Sequence, residues 1–376
     1  MVALISRSRH DWTVFTSHYE PENTFKEFAG FKVVPVGDVS VHRDIGSVFK
    51  AALTLARTRL PLEGFDACVV WCDGLGPLVT FRNNDLPLLC VCSTPLRAAY
   101  DPFYAREALR SRRPLAKLAY HIFKHAFRLV DRLAWRHFDG VVATSLEVKE
   151  RIVRNHLYPD NRRMVLCHPG IDVGEAPARV SYEPFLLVPG RISWTKNIEL
   201  AIDAFRAAGL PAPWRLVVAG FVDEKSRQYF SELKARAGGD ARIEFVAAPS
   251  DEQLHRLYET AYAVLFTPLN EDWGMAVLEG MLRSKPVIAN ASGGPRESVI
   301  DGVTGWLLEP KVESWAELIR RLPGQPERVR GMGEQARLSV EKYDWSRFVA
   351  GVDALIESTT RTAPSFVEDP TIELAT

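Results

Sequence analysis

The sequence predicts an α/β protein of two domains, each with a parallel sheet between layers of helices. Its 376 residues exceed the size at which a single hydrophobic core stops growing. Short apolar runs alternate with stretches of helical periodicity, and this alternation is typical of parallel sheets with helices on both faces. The predicted strands span residues 12–16, 32–36, 67–72, 87–92 and 140–144 in the first half and 184–188, 214–219, 242–247, 263–267 and 286–289 in the second.

The limits of the domains follow from a break in this pattern. Residues 174–179 contain glycine, proline and two alanines and interrupt the periodicity, as linkers do. We therefore expect a first domain at residues 1–178 and a second at 179–342. Residues 343–359 are expected to form a helix that crosses back to the first domain, and the polar, pattern-free residues 360–376 to form a mobile tail.

Charge separates the two halves of the chain. The whole chain has 47 Lys+Arg and 47 Asp+Glu, a balance that argues against a nucleic-acid-binding protein. Residues 1–180 have 25 Lys+Arg against 19 Asp+Glu, and the remainder has 22 against 28. The two predicted domains are therefore expected to meet different partners.

The five cysteines indicate a reducing environment. Cys68, Cys72, Cys90, Cys92 and Cys167 form an odd set within apolar runs, which is typical of buried, reduced thiols in a cytosolic protein. The first four can also be drawn as ligands of one metal ion. Because their spacings are unlike those of zinc sites, we expect no metal.

The sequence predicts no membrane span and no secretory signal. It contains no apolar run of about 18 residues or more, and residues 1–10 are too short and too basic for a signal peptide. We expect a cytoplasmic protein, with a peripheral position at the inner face of the membrane as one option.

That option rests on a basic amphipathic stretch at residues 106–137, which holds nine Lys+Arg and two acidic residues. At about 100° per residue, the basic side chains fall within a sector of about 140°, and apolar residues fill much of the opposite side. The basic set is Arg113, Lys117, His121, Lys124, Arg128, Arg132 and Arg136. Two interpretations stay open. The stretch is either the solvated face of a packed helix, or of two helices with a break, or it is a surface for anionic lipid or an anionic acceptor.

Two carboxylates and two cations in the second half suggest a binding site for an elongated anion. Glu271 precedes Gly274 at the start of an apolar helix, and Glu279 lies further along that helix. Arg191 and Lys196 flank a turn after the strand at 184–188, where two cations can hold a diphosphate without a metal. A nucleotide sugar has the matching layout, with hydroxyls at both ends and a diphosphate between them.

With these motifs, residues 184–310 resemble the family 4 glycosyltransferases. That family has the GT-B fold, in which two Rossmann-like doubly wound domains face a central cleft. The matching residues are Gly190-Arg191, Lys196-Asn197, Gly220, Glu271, Trp273-Gly274, Glu279, Gly293-Gly294, Glu297, Asp301-Gly302 and Gly305. The first half is similar to the mannosyltransferase-like branch through residues 15–21, 92–97 and 100–102.

The resemblance implies a donor site in the second domain. It places in that site Gly190, Arg191, Lys196, Gly220, Val246, Glu271, Gly274, Met275, Ala276 and Glu279. Arg191 and Lys196 would bind the diphosphate and act in catalysis together with Glu271, which would bind hydroxyls of the donor sugar. The backbone around Gly274 and Met275 would meet sugar and phosphate.

The same resemblance implies how the rest of the donor is held and how it reacts. Glu279 would bind the ribose hydroxyls, and Gly220 and Val246 would line the base pocket. Such enzymes retain the anomeric configuration, need no metal or other cofactor, and use the leaving diphosphate as the proton acceptor. The sequence offers no obvious pair of glycosidase carboxylates, which agrees with this chemistry.

The chain departs from the family pattern in two places. Relatives open with a strand and a glycine-rich loop before the segment at residues 12–16, so we expect the first domain to lack its first strand and this loop. The branch often has histidine where this chain has Ser93, a residue on the sugar side of the site. A hydroxyl can donate a hydrogen bond but cannot become a cation, so donor choice or rate is expected to differ.

The sequence therefore predicts a metal-independent, retaining glycosyltransferase that moves a hexose to a glycan or lipid-linked acceptor. GDP-mannose is the first expected donor, and UDP-hexoses follow. The alternative is a non-catalytic partner subunit that binds a nucleotide sugar without turnover, for which the missing strand and Ser93 are the reasons.

Overall fold

A computed structural model describes residues 1–24, 26–36, 45–109, 114–159, 163–175 and 180–361. The strands are β1 Thr13–Thr16, β2 Lys32–Pro35, β3 Cys68–Gly74, β4 Leu88–Pro95, β5 Gly140–Ala143, β6 Met164–Leu166, β7 Phe185–Pro189, β8 Arg215–Gly220, β9 Ile243–Ala247, β10 Ala263–Phe266, β11 Val287–Asn290 and β12 Gly305–Leu308.

The α-helices frame these strands. They are α1 Val2–Arg7, α2 Ile45–Arg57, α3 Arg97–Tyr100, α4 Pro102–Leu109, α5 Pro114–Trp135, α6 Leu146–Arg154, α7 Ile198–Ala208, α8 Arg227–Ala237, α9 Asp251–Thr260, α10 Met275–Leu282, α11 Pro295–Ser298, α12 Val312–Arg321, α13 Pro326–Val340 and α14 Trp345–Thr360. Among the described residues, no helix combines the length and the apolar character needed to span a membrane.

The strands form three parallel sheets. The largest has the order β12-β11-β10-β7-β8-β9, and a second has the order β3-β4-β5-β6. In the largest sheet β7 pairs with β10 on one side and β8 on the other, so the chain order reverses there. Open α/β sheets bind ligands beyond the carboxyl ends of the strands at such a point. The predicted α/β class with two parallel sheets is confirmed.

β1 and β2 form a separate two-stranded sheet. Among the described strands, β1 pairs only with β2, and β3 pairs only with β4. The expectation that the first domain lacks its first strand stays a prediction.

Both faces of the six-stranded sheet are buried. Along β7, Leu186 and Val188 join one core and Phe185 and Leu187 join the core on the opposite face. The period of two explains this, because successive side chains of a strand point to opposite faces. Helices α7 and α12 pack together on the first of these faces.

The four-stranded sheet is covered in the same way. On β4, Cys90 and Cys92 face a core that includes Phe127 and Trp135 of α5. Leu89 and Val91 face the opposite core, which contains Phe348, Val352 and other residues of α14. The C-terminal helix therefore packs on the sheet of the first half of the chain, with α1 beside it.

The predicted strands lie within two or three residues of the observed ones, and two strands were missed. The missed strands, β6 and β12, have three and four residues and lie at sheet edges. Such short runs give little periodicity. The predicted domain boundary at residues 178 and 179 falls outside the described residues, as does the predicted tail from residue 362 onward.

The basic stretch at 106–137 belongs to two helices, which agrees with one form of the packed-helix interpretation, but its apolar side is not buried as that interpretation expects. It is divided between α4 and α5, and Arg113 lies outside the described residues. The apolar side of α5 that a packed helix would bury is largely exposed. Its exposed side chains are Leu115 (82%), Leu118 (58%), Ile122 (63%), Leu129 (65%), Val130 (43%) and Leu133 (42%).

A different face of α5 contacts the sheet. It consists of Tyr120, Phe127, Asp131, Ala134 and Trp135. The helix thus has two apolar faces, and the wheel alone could not decide which one packs. Some side chains on its basic side form hydrogen bonds within the protein.

Arg128 and Arg132 are the basic residues that α5 uses internally. Arg128 Nε donates to the carbonyl of Ala99 (2.9 Å), and Arg132 Nε donates to the carbonyl of Asn155 (3.1 Å). The prediction of one continuous exposed basic face is therefore wrong for these two residues. Lys117, His121 and Arg136 remain exposed.

Gly220 permits the close approach of the ends of β7 and β8. A Cβ atom at this position would lie 1.7 Å from the carbonyl oxygen of Gly190. Because that oxygen belongs to backbone, a side chain at residue 220 requires the two strand ends to separate.

We predict that Gly220→Ala lowers the free energy of unfolding by about 2 kcal/mol or more, the cost of overpacking a core. Urea unfolding measures this change. Gly331→Ala is the control, because Gly331 lies within α13 with no atom within 4 Å of its added Cβ. That variant should gain about 0.5–1 kcal/mol from helix propensity. Equal effects of the two substitutions would contradict the conclusion that residue 220 must be glycine because the ends of β7 and β8 approach closely there.

Lys285, between α10 and β11, is a fully buried lysine. Its Nζ donates to the carbonyl of Ser181 and lies 4.0 Å from the centroid of the Tyr182 ring. Burial lowers the pKa of Lys285 to about 7, and Glu259 and Glu183 partly oppose that shift. Between pH 7 and pH 10 the unfolded chain therefore holds a proton on this amine that the folded protein does not hold.

Because the unfolded chain binds more protons in this window, raising the pH stabilises the fold through Lys285. We predict that the free energy of unfolding of the native protein rises relative to Lys285→Met by up to about 1.4 kcal/mol per pH unit. Urea unfolding at pH 7.5, 8.5 and 9.5 measures the difference. The control is Lys311→Met, at an exposed position. Its free energy of unfolding should change with pH in parallel with that of the native protein. Parallel curves for Lys285→Met would rule out the depressed pKa.

Candidate functional site

The candidate site lies at the carboxyl ends of β7 and β10, where the order of the six-stranded sheet reverses. Strand β10 is followed by residues 267–274, which form a loop before α10. Asn270 has φ 54° and Gly274 has φ 98°, so the loop contains two left-handed turns. Gly274 is the N-cap of α10, and the free N–H groups of Met275 and Ala276 follow at a helix N-terminus that favours anions.

Lys196 and Glu271 form the central ion pair of the site. Lys196 Nζ donates to Glu271 Oε2 at 2.7 Å, and the two side chains are 21% and 19% exposed. Thr267 Oγ1 donates to the carbonyl of Lys196 (2.8 Å), and Asn197 Nδ2 donates to the carbonyl of Thr267 (3.3 Å). These bonds tie the turn after β7 to the loop after β10. The predicted cation and carboxylate are therefore brought into direct contact.

Arg191 lies beside this pair and remains exposed. It follows Gly190, whose φ of 116° turns the chain out of β7. A pocket of about 220 Å³, including space open to solvent, is lined by Arg191, Lys196, Thr267 and neighbouring residues of β7 and β10. Among the described residues, Arg191 makes no hydrogen bond or ion pair, so its charge remains available to a ligand.

Glu279 lies on α10, where Tyr258 Oη donates to its Oε2 at 2.6 Å. Tyr258 is fully buried, and this burial, reinforced by the charge of Glu279, raises the pKa of the phenol well above its usual value. The tyrosine therefore keeps its proton and fixes one carboxylate oxygen. The remaining oxygen of the half-buried Glu279 can accept hydrogen bonds from another group.

The predicted base pocket is bordered by the ends of β8 and β9. Gly220 ends β8. Its close contact with the backbone of Gly190 accounts for the glycine at this position, independently of any role in the pocket. Val246 is half-buried on β9. Phe221, which the sequence interpretation did not single out, follows Gly220 and is 60% exposed.

A second pair of glycines, Gly293 and Gly294, packs beneath the loop at residues 267–274. This loop carries Glu271 and Asp272 and is called the acidic loop. A Cβ atom on Gly293 would lie 2.1 Å from the carbonyl oxygen of Glu271, and one on Gly294 would lie 2.3 Å from that of Trp273. Gly294 N also donates to the carbonyl of Glu271 at 2.8 Å. The loop that carries Glu271 therefore rests directly on backbone.

Side chains from the first half of the chain hold the same loop from the opposite side. Arg151 Nη1 donates to Asp272 Oδ1 at 2.5 Å, and Arg97 Nη2 donates to the carbonyl of Asn270 at 3.1 Å. Arg151 is almost fully buried and also contacts Glu147. Burial raises the pKa of Asp272, while the charge of Arg151 opposes that shift.

A further contact joins the two halves beside this loop. The carboxylate of Glu297 accepts hydrogen bonds from the backbone N–H of Leu146 (2.9 Å) and lies 2.7 Å from His168 Nε2. The His168 ring packs 4.4 Å from the indole of Trp273, whose Nε1 donates to the carbonyl of Pro169. Glu297, a residue of the family motif, therefore contacts the opposite half of the chain.

The first half also presents residues toward the cleft. Ser93 is half-buried near the carboxyl end of β4. Asp73, near the end of β3, was not predicted. Burial raises the pKa of Asp73, and the positive charge of Arg191 acts in the opposite direction. An electrostatic interaction therefore links Asp73 with the cation of the opposite half.

Sequence interpretation missed Arg97, Arg151 and Asp73 because their partners are distant along the chain. Arg97 and Asn270 are 173 residues apart, and Arg151 and Asp272 are 121 residues apart. No local pattern indicates such pairs. The sequence analysis did include Arg97, in the segment 92–97 that is similar to the mannosyltransferase-like branch. It did not predict which residue Arg97 contacts.

Comparisons with known proteins agree with this geometry. Residues 175–339 match the family described as glycosyl transferases group 1. The chain is 28% identical over 360 residues to the alpha-1,3/1,6-mannosyltransferase alg2 of Schizosaccharomyces pombe, covering 81% of this chain and 66% of that protein. It is 26% identical over 378 residues to the human alpha-1,3/1,6-mannosyltransferase ALG2, covering 89% and 85% of the two chains.

The chain spans about half the length of two other curated relatives. The alpha-1,3/1,6-mannosyltransferase ALG2 of Rhizomucor pusillus is 32% identical over 220 residues, which cover 50% of this chain and 47% of that protein. The ALG2 protein of Dictyostelium discoideum is covered to the same 47%.

Solved structures show the same fold. The sucrose-phosphate synthase of Thermosynechococcus elongatus superposes with a TM-score of 0.70 at 18% identity, covering 95% of this chain and 88% of that one. Alr3699/HepE of Anabaena superposes with a TM-score of 0.67 at 19% identity, covering 95% and 94%. The chain therefore has the GT-B fold of these structures, and its residues 175–339 match the glycosyl transferases group 1 model.

Proposed function

We propose that this protein transfers a hexose from a nucleotide-diphosphate sugar to a hydroxyl of a glycan or lipid-linked acceptor, with retention of configuration. The observation that carries the proposal is the Lys196–Glu271 pair beside the exposed Arg191 at the reversal point of the sheet. Two cations and a carboxylate there match a diphosphate joined to a sugar. The relatives named as mannosyltransferases support the reaction class.

Lys196 and Glu271 change partners when the donor binds. In the structure each offsets the charge of the other at 2.7 Å. A diphosphate between Arg191 and Lys196 provides a stronger anionic partner for the lysine. Glu271 is then released to accept hydrogen bonds from the sugar hydroxyls, while the N–H groups of Met275 and Ala276 meet the phosphate or the sugar.

The far end of the donor is held by Glu279. Its carboxylate oxygen that Tyr258 does not occupy accepts hydrogen bonds from the ribose hydroxyls. The base lies beyond it, against Gly220 and Val246, and the exposed ring of Phe221 provides an apolar surface at the same edge. Nothing in these contacts discriminates guanine from uracil.

The chemical step exchanges one bond for another at the anomeric carbon. The bond between that carbon and the diphosphate oxygen breaks, and a bond to the acceptor oxygen forms on the same face of the sugar. The acceptor proton passes to the leaving diphosphate. Arg191 and Lys196 stabilise the charge that develops on this leaving group, so the step requires no metal or other cofactor.

GDP-mannose is the first donor that we propose, because the curated relatives are mannosyltransferases. UDP-hexoses are second, because Alr3699/HepE was solved in complex with UDP and glucose. Ser93 contacts the sugar side of the cleft in this proposal. Its hydroxyl can donate one hydrogen bond without adding a positive charge.

The acceptor side is expected to rest on a membrane through α5. The six exposed apolar side chains of this helix extend from Leu115 to Leu133, which is about 27 Å at 1.5 Å per residue. Exposed Lys117 and Arg136 flank the stripe. An apolar stripe bordered by cations is typical of a helix that lies in the interface of an anionic bilayer. A peripheral position at the inner face of the membrane follows from this proposal.

We predict that Lys196→Ala and Glu271→Gln each lower kcat/KM for sugar transfer by about 100-fold or more, as loss of a preorganised charge does. A screen with GDP-mannose and UDP-hexoses first identifies the donor, and steady-state kinetics follow. The control is Arg215→Ala, which removes an exposed pair with Glu244 at the start of β8, away from the site. It should leave kcat/KM unchanged.

Two outcomes contradict the proposal in different ways. If both site variants transfer sugar at the native rate, this pair is not the donor site. If the native protein binds GDP or UDP but neither transfers nor hydrolyses any sugar nucleotide, the protein is the non-catalytic partner subunit.

We predict that replacing Ile122 and Leu129 together with glutamine weakens binding to phosphatidylserine-containing vesicles at least tenfold, because two aliphatic side chains that the bilayer would bury are lost. Vesicle sedimentation measures the partition. Leu338→Gln is the matched control, since Leu338 is 61% exposed on α13. Unchanged vesicle binding by the double variant would remove the membrane role, and a changed oligomeric state would assign the stripe to a second copy of the chain.

A further inference from the structure

One short segment of the first half of the chain contacts both loops that carry the central ion pair of the donor site. It consists of α3 and the first turn of α4, residues 97–104, and is called the bridging segment. Arg97 Nη2 donates to the carbonyl of Asn270, the residue directly before the carboxylate of the pair (3.1 Å). The ring of Tyr104 lies 5.2 Å from the indole of Trp194, two residues before the lysine of the pair.

Asp101 fixes these two side chains of the bridging segment relative to each other. Its Oδ2 accepts hydrogen bonds from Arg97 Nε (3.1 Å) and Nη2 (2.8 Å). Its Oδ1 accepts from the backbone N–H groups of Phe103 (2.9 Å) and Tyr104 (3.2 Å), so the carboxylate caps the N-terminus of α4. The guanidinium of Arg97 also lies 5.7 Å from the centroid of the Tyr104 ring. Arg97 and Tyr104 therefore form one unit of fixed geometry.

On the opposite side of the contact, Trp194 belongs to the same short turn as Lys196. The two residues begin and end a single 3₁₀ turn. Lys196 N donates to the carbonyl of Ser193 (2.9 Å), and Asn197 N donates to the carbonyl of Trp194 (3.2 Å). Because these bonds close one turn, a displacement of Trp194 moves the backbone of Lys196 with it.

The need to join the two halves of the chain does not by itself account for these contacts. The buried Arg151–Asp272 pair and the bond from the N–H of Leu146 to Glu297 already join them. The contacts of the bridging segment fall instead within two residues of each member of the ion pair. They reach two loops whose charged residues are 75 positions apart in the sequence. A shift of either contact therefore changes the distance between the lysine and the carboxylate.

We propose that Arg97 and Tyr104 are positioning residues of the donor site. They hold Lys196 and Glu271 at the separation in which a nucleotide-diphosphate sugar binds and reacts. This role rests on the proposed function, in which Lys196 binds the diphosphate and Glu271 binds the sugar, and neither positioning residue needs to touch the donor. The first half of the chain thereby sets the geometry of a site that lies in the second half.

The expected effect follows from what the lysine does in the reaction. Lys196 stabilises charge on the leaving diphosphate, and this stabilisation depends on its position. A displacement of about 1 Å in such a group lowers the rate by up to about 100-fold. A displaced lysine also binds the diphosphate of the ground state less tightly, so the Kd for the nucleotide rises as well.

The first test removes the ring contact from either side. Tyr104→Ala and Trp194→Ala should each lower kcat/KM for sugar transfer about 10- to 100-fold, as misplacement of a catalytic group does. Each should raise the Kd for GDP or UDP, measured by titration calorimetry, about three- to tenfold, the value of an aromatic pair. Tyr104→Phe keeps the ring and should restore both quantities. The double alanine variant should be no worse than the more affected single variant, because both substitutions remove the same contact.

A second variant tests Arg97. Arg97→Lys keeps a cation beside the buried carboxylate of Asp101, so the fold is retained. An ammonium lacks the planar set of donors that reaches both Asp101 and the carbonyl of Asn270. We expect kcat/KM to fall about tenfold through displacement of the acidic loop. A native kcat/KM in Arg97→Lys would remove Arg97 from the proposal.

Phe81→Ala is the matched control. The half-buried ring of Phe81 packs edge-on against His137 at 5.7 Å. These residues precede β4 and β5, at the edge of the four-stranded sheet opposite the cleft. The substitution removes an aromatic contact of similar size and should leave kcat, KM and the Kd for the nucleotide unchanged. Urea unfolding of every variant separates a loss of folded protein from a change in the site.

The outcomes separate this role from the proposed function. Native kcat/KM and Kd values in Tyr104→Ala and Trp194→Ala would overturn the positioning role, and so would additive losses in the double variant. If the native protein binds GDP or UDP without transferring sugar, the transferase function fails, and the Kd values of the same variants still decide the positioning role. If the native protein binds neither nucleotide, the donor site and the positioning role fail together.

Discussion

The loop at residues 270–274 depends on charges supplied from both halves of the chain, and the cleft depends on this loop. Arg151 binds Asp272 from one side, and Lys196 binds Glu271 from the other. Adjacent carboxylates that are half-buried repel each other and lose hydration, so each requires its own cation. Breaking either pair would leave a buried charge without a partner, which costs more than the pair itself contributes.

The two pairs differ in what a ligand can do to them. Arg151 is 3% exposed, so the Asp272 pair is a fixed structural contact between the halves. The Lys196–Glu271 pair is about one-fifth exposed and opens onto the pocket that Arg191 borders. A diphosphate can therefore compete for Lys196, while Asp272 keeps the loop in place. The close packing of Gly293 and Gly294 beneath the loop adds a backbone constraint that needs no charge.

In the first half of the chain, one sheet borders both the cleft and the exposed helix α5. Its carboxyl edge presents Ser93 and Asp73 to the cleft, and one of its faces packs on α5. The opposite face of α5 remains apolar and exposed, which is costly in water unless lipid or protein covers it. Cys72, Cys90 and Cys92 lie between that helix and the sheet, in the core that Phe127 and Trp135 of α5 also join.

The sequence determined the α/β class and placed the strands of both large sheets, apart from β6 and β12, within two or three residues. It also singled out Arg191, Lys196, Glu271 and Glu279, because these residues lie in local patterns and spacings. Only the tertiary structure decided that Lys196 pairs with Glu271, that Arg97 and Arg151 hold the acidic loop, and that Cys72 meets Cys90 and Cys92. It likewise decided which apolar face of α5 packs, since a helical wheel with two apolar faces leaves that choice to the partner. These are contacts between segments far apart along the chain, and no period or motif within one segment records them.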